Sequence, residues 1–296
     1  MTIVDRSKDI GDAIAANFNA FTLVQKIEQI CTIVSTMALV FIPVMVTEAI
    51  TRRPKPNQGR LKTIVNNQIY QQVYCIGGST NGTIFMSKKG DALMIHTPPE
   101  ITKEFLEDIK ELGVPVKYIF ASNEAHETHV GACKAAFPDA KLITPKPCVE
   151  ALKACAPVDG TVEDHLEILE RDFGFTKMFR ADDNVHVGAD RSFIVELYGD
   201  DDRLKGKNAL FVAQCGYGNF HKFDFGLAPF GTLAGFNGGR YFRMFYWAFT
   251  KKHDAVNPYW KHMVQSVDDL NLAVFQHGHP IRGPDTKERL LKFYVY

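Results

Sequence analysis

KYIFASNEAHETHVGACKAAFPDAKLI, residues Lys117 to Ile143, holds the local pattern from which the architecture can be inferred. Val116 to Phe120 is a short run of mostly β-forming residues, Ser122 to Thr128 is polar, and His129 to Phe137 can turn as a helix until Pro138 stops it. A strand therefore feeds a loop of metal-capable side chains and then a helix. In such a unit the side chains at the carboxyl end of the strand and in the first helical turn converge on one crevice. Glu124, His126 and His129 are thereby placed to share a site.

Upstream of this unit the pattern is one of strands from Ile69 onward. Val73 to Ile76, Thr83 to Met86 and Ala92 to Ile95 are separated by the turn signals Gly77-Gly78, Asn81-Gly82 and Lys88-Lys89-Gly90-Asp91. Phe105, Leu106, Ile109 and Leu112 are helically spaced from about Thr102, with Gly113 as C-cap. Downstream, Leu142-Ile143 reads as a strand and Val149 to Cys155 as a helix. Ser192 to Tyr198 and Asn208 to Ala213 read as a hairpin across Gly199-Asp200-Asp201-Asp202, followed by Gln214 and Cys215. Tyr217 to Trp247 carries eleven aromatics and frequent glycines. It is expected as a long loop leading into a helix at about Gly239 to Thr250, with three uses open: covering a pocket, meeting a partner, or packing over a sheet. Pro258 to Leu270 suits a helix, Ala273 to Phe275 a strand, His277-Gly278-His279-Pro280 comes next, and Pro284 to Phe293 supplies a last helix. Strands first and β-α alternation later make the class α/β of the α+β kind.

The N-terminal part differs in kind. Residues 1–28 hold three basic and four acidic side chains, which argues against a secretory n-region or an Arg-rich transit peptide. Gln29 to Thr47 has no charge over 19 residues and, extended to Ile50, is long enough to cross about 30 Å of hydrocarbon. The expectation is one transmembrane helix over 29–50, with Pro43 tolerated inside it, a linker over 51–68, and one domain over 69–296. Glu48 to Lys62 carries five basic residues against one acidic, so the positive-inside rule puts the domain on the matrix or cytosolic side. The six cysteines form no Cys-x-x-Cys pair and suit a reducing compartment. Lys plus Arg and Asp plus Glu both number 34, so no global charge points to nucleic acid.

The segment around His126 and His129 resembles the signature of the metallo-β-lactamase-like superfamily, His-x-His-x-Asp-His followed by an apolar residue and Gly. Aligned on His129-Val130-Gly131, Glu124 stands at the first His, His126 at the second, Thr128 at the Asp and His129 at the last. The resemblance covers about residues 69–296 and implies an αββα sandwich. A closer resemblance is to a motif-degenerate branch in which Asn precedes a lone His pair, matched by Asn123, His126 and Ala136 to Lys141, with His277 to Ile281 matching its His-Gly-x-Pro-Ile. The family follows its hairpin with Leu-Phe-x-Gly-Asp, the Asp bridging two metals. Here Leu210-Phe211-Val212-Ala213-Gln214 puts a neutral amide on that position. The family also places a His just before the hairpin, where this chain has none; His186 is nearest and its alternating neighbours read as a strand.

The resemblance thus retains His126, His129 and His277, with Glu124 a chemically able replacement. In the parent arrangement His126 serves one metal and His129 with His277 the other, so neither half-site reaches the usual three protein ligands unaided. Cys215, with a slip of one residue, would complete a His129, Cys215, His277 zinc site; read alone it is an ordinary buried Cys. Two functions are expected from this. One is a membrane-anchored pseudoenzyme acting as accessory subunit of a membrane complex, with a respiratory complex of the mitochondrial inner membrane as the setting. Its partners would be other subunits and the lipid bilayer, with no cofactor. The other is a hydrolase of ester or thioester type, holding one zinc or iron ion on His126, His129 and His277 with Glu124 or Cys215.

Overall fold

A computed structural model describes residues 23–24, 26–27, 30–31, 59–76, 80–96, 100–123, 129–180, 191–213, 253–276 and 278–292. Its first sheet has seven strands, which run in spatial order β1 to β7. These are β1 (Leu61–Val65), β2 (Ile69–Ile76), β3 (Thr80–Met86), β4 (Leu93–His96), β5 (Val116–Phe120), β6 (Lys141–Thr144) and β7 (Gly160–Thr161). The first four pair antiparallel and β4 to β7 pair parallel. The second sheet has the order β12-β11-β10-β9-β8, built from β8 (Phe175–Arg180), β9 (Arg191–Glu196), β10 (Asn208–Val212), β11 (Leu270–Phe275) and β12 (Ile281–Arg282). Among its described strands only β10 and β11 run parallel.

Three buried clusters define four layers. Helices α1 (Lys103–Glu111), α2 (Val130–Ala136) and α3 (Val149–Leu152) bring Phe105, Ile109, Val130, Cys133 and Leu152 onto Ile84, Leu93, Ile95, Ile119 and Leu142 of the first sheet. The opposite face of that sheet carries Phe85, Met94, Phe120 and Ile143, packed on Phe175, Phe193, Val195, Phe211 and Val274 of the second sheet. Helix α4 (Leu166–Phe173) closes one flank of this inner core with Leu169 and Phe173. The outer face of the second sheet offers Ile194, Leu210, Val212, Ala273 and Phe275 to α5 (His253–Gln265) and α6 (Thr286–Lys292) through Trp260, Met263, Val264 and Leu290. Alternating side chains on each strand thus serve two cores at once. The expected αββα sandwich is present.

Local signals explain the elements. Thr102 accepts from the Phe105 amide at 3.1 Å and starts α1, and Gly113, with φ of 74°, lies just past its end. Gly174, with the same φ of 74°, caps α4 and leads straight into β8. The hairpin β9-β10 pairs as the sequence predicts. Several expectations need correcting. Asn81-Gly82 is not a turn but lies inside β3, because the Asn81 side chain reaches across to the second sheet. The sheet begins with β1, inside the stretch read as linker, where the Leu61 amide donates to Asp108 at 2.7 Å and Arg282 donates to the Ile64 carbonyl. Helix α5 starts at His253, so Pro258 sits within it at the loss of one backbone bond. Strand β8 and helix α4 are elements that the sequence pattern does not place.

Among the described residues no helix is long and apolar enough to cross a membrane. The expected span over 29–50 lies outside them except for Ile30 and Cys31, as do His186 and the aromatic segment 217–247.

Candidate functional site

The parallel strands of both sheets deliver their carboxyl ends to one mouth of the sandwich. His96 ends β4, Phe120 ends β5, Val212 ends β10 and Phe275 ends β11. The His96 ring stands edge-on to Phe120 and Phe211 at centroid distances of 4.5 and 4.2 Å, joining the two sheets just below that mouth. Above these rings the floor turns polar.

Gln276 is the central piece of the floor. Its amide donates to the Val212 carbonyl at 3.1 Å, its carbonyl accepts from the Asn81 amide at 2.6 Å, and its side chain donates to the Ser122 hydroxyl. Strands β10 and β3 and the segment just past β5 thus fix one residue. The Asn81 side-chain amide adds bonds to the Phe275 and Gly278 carbonyls at 3.1 and 2.7 Å. Gln71 donates to Thr83 Oγ1 at 3.1 Å and to the Phe275 carbonyl at 3.0 Å. Ser122, Asn123, Asn81, Gln71 and Gln276 are all buried. In low dielectric such groups are costly unless bonded, so each of these bonds holds its partners in place, while Gln71 Oε1 accepts none.

A second tie crosses the sheets at the flank. Glu163, just after β7, accepts from Arg191 of β9 through Nε at 3.2 Å and Nη2 at 2.8 Å, and its other oxygen accepts from the Lys146 amide at 3.0 Å. Arg191 is 1% exposed. Beside it, Ser192 Oγ accepts from the Ala213 amide at 3.2 Å, fixing the point where β10 ends.

Of the predicted metal-capable residues, His129 is described: it is half-buried and heads α2, with its carbonyl accepting from the Cys133 amide at 2.8 Å. Glu124, His126, Cys215 and His277 lie outside the described residues, as do Thr128 and Gln214. Their attachment points, however, are fixed. Ser122 and Asn123 precede Glu124, Ala213 precedes Gln214 and Cys215, and Gln276 with Gly278 brackets His277. The hydrogen bonds above gather these roots at one mouth. Among the described residues no group of three His, Cys, Asp or Glu side chains could hold a metal ion. Apart from the imidazoles of His129 and, below the mouth, His96, the donors described there are hydroxyls and amides, which suit zinc poorly. Sequence reasoning missed Ser122, Gln276, Asn81 and Gln71, which carry no local signal because their partners lie tens to hundreds of residues away.

No family model matches the chain, and no curated protein matches it by sequence. The solved structures it resembles have the metallo-β-lactamase fold. DIM-1 metallo-β-lactamase shares 12% identity over 79% of this chain and 95% of its own, with a TM-score of 0.45. A metallo-β-lactamase from Pontibacter korlensis shares 13% over 79% and 98%, with a TM-score of 0.43. A B3 metallo-β-lactamase with an active-site glutamic acid shares 10% over 80% and 89%, with a TM-score of 0.42. The αββα layering itself rests on this chain's own packing.

Proposed function

We propose that the chain is a membrane-anchored protein of metallo-β-lactamase-like fold that has given up two-metal hydrolysis and serves as an accessory subunit of a membrane complex. The observation that carries this reading is the neutral floor of the mouth, where Gln276 donates to Ser122 between β11 and β5. A two-metal hydrolytic centre needs anionic or imidazole ligands and a carboxylate between the ions. An amide and a hydroxyl bonded to each other supply no charge to balance two cations in that place. Gln214 and Thr128, standing where the family has carboxylates, support the same reading from the sequence. The proposed setting is the mitochondrial inner membrane, with the domain on the matrix side. The charge-free run 29–47, extended to Ile50, and the basic residues after it support the anchor and its direction.

Native membranes solubilised in mild detergent and resolved by size test it. The chain is expected to migrate with an assembly several times its own 33.3 kDa. Recovery solely as a free monomer would contradict the subunit role.

A further inference from the structure

Apart from Leu106 at 39%, the large hydrophobic side chains most exposed among the described residues are not on the sandwich but ahead of it. Leu23 is 73% exposed, Val24 74%, Ile27 54% and Ile30 49%. These four residues are helical, as are Lys26 and Cys31. At 100° per residue Leu23, Val24, Ile27, Ile30 and Cys31 fall on one stripe about 120° wide, with Lys26 on its flank. A contiguous apolar face of this kind in water marks a surface meant for another apolar phase. The sequence immediately downstream points to lipid as that phase: residues 29–47 carry no charge, and Ile30 of the stripe already lies in that stretch.

We infer that the stripe Leu23, Val24, Ile27 and Ile30 is a lipid-binding face that lies in the bilayer interface ahead of the charge-free run. This deepens the proposed function and rests on its membrane anchor. From Leu23 to Ile50 there are 28 residues, which as one helix would measure about 42 Å at 1.5 Å per residue, against a hydrocarbon layer of about 30 Å. The excess of about 12 Å is roughly two turns, the length over which the stripe departs from an all-apolar surface to a one-sided one. Lys26 on its flank has a four-carbon stem that can lie along the apolar face while its ammonium stays among headgroups. A one-sided apolar face with a cation at its edge is the pattern of interfacial helices.

The test uses the full chain reconstituted in phosphatidylcholine vesicles containing a fifth phosphatidylglycerol. An environment-sensitive fluorescent amino acid is placed singly at position 24, 26 or 27, and the vesicles are then extracted with alkaline carbonate. Blue-shifted emission at 24 and 27, quenched by lipids brominated near the headgroup, with a shift at 26 less than half as large, is the expected result. No shift at 24 and 27 in chains that resist carbonate would overturn the lipid-binding face and leave the anchor standing. No shift in chains that carbonate releases would overturn both. Shifts at 24 and 27 in chains that carbonate releases would keep the lipid-binding face and overturn the span.

Discussion

Two ties join the sheets at the mouth of the sandwich, and they differ in charge. At its centre Gln276 meets Ser122, two neutral groups; at its flank Arg191 meets Glu163, a buried cation with an anion. Among the described residues, the tie at the centre of the mouth is thus neutral and the charged one stands at its flank. The proposed structural role for the mouth builds on that contrast. Neutral groups hold position without attracting ions, while a buried ion pair fixes two elements at a large desolvation cost.

The charged tie gives the largest expected effect when one partner is removed. Arg191→Ala leaves Glu163 with the Lys146 amide alone in a nearly closed site, and should cost about 3–5 kcal/mol in denaturant unfolding of the full chain in detergent. A loss below about 1 kcal/mol would mean that the pair is open to water. Replacing both partners, Arg191→Met with Glu163→Leu, separates the charge from its orphaned partner. Most of that loss should return, leaving about 1 kcal/mol for the Lys146 amide that loses its acceptor. A double variant as unstable as the single one would show that the charge, and not the orphaned partner, matters.

The neutral tie should yield less. Gln276→Leu leaves Ser122, in a buried site, with only the longer bond from the Asn123 side chain at 3.5 Å and should cost about 1–3 kcal/mol by the same measurement. The smallest effect asks whether aversion to charge extends beyond the mouth. Burial pushes the Cys133 thiol on α2 up to about 12, from 9.0. The folded state therefore keeps a proton that the unfolded chain gives up first. Its contribution to stability is complete below pH 9 and fades as pH rises toward about 12. Cys133→Ala should flatten that decline in unfolding curves taken from about pH 8.5 upward.

Much of the sandwich is legible in the sequence because its signals are local. Thr102, Gly113, the β9-β10 turn and the apolar run of β5 each act within a few residues. Helix α4 is not legible, since only Leu166, Leu169 and Phe173 mark its apolar side in a charged stretch. Strand β8 is hidden by an irregular register between Phe175 and Lys177 that breaks its alternation. Asn81-Gly82 misleads because Asn-Gly is a strong turn signal locally, while bonds that hold Asn81 in β3 reach residues 194 and 197 positions away. The same distance explains the site. His129 is legible from its motif, whereas Ser122 and Gln276, 154 positions apart, are polar residues at strand ends until the fold pairs them.

A mouth without two-metal chemistry should leave the purified full chain poor in metal, and this can be weighed. The chain is dialysed against equimolar zinc and iron and measured by elemental mass spectrometry beside a His126→Ala, His277→Ala variant. Well under one metal per chain, unchanged in the variant, is the expected outcome. Two metals per chain, lost in the variant while it stays folded, would refute the neutral mouth and return the chain to the hydrolases.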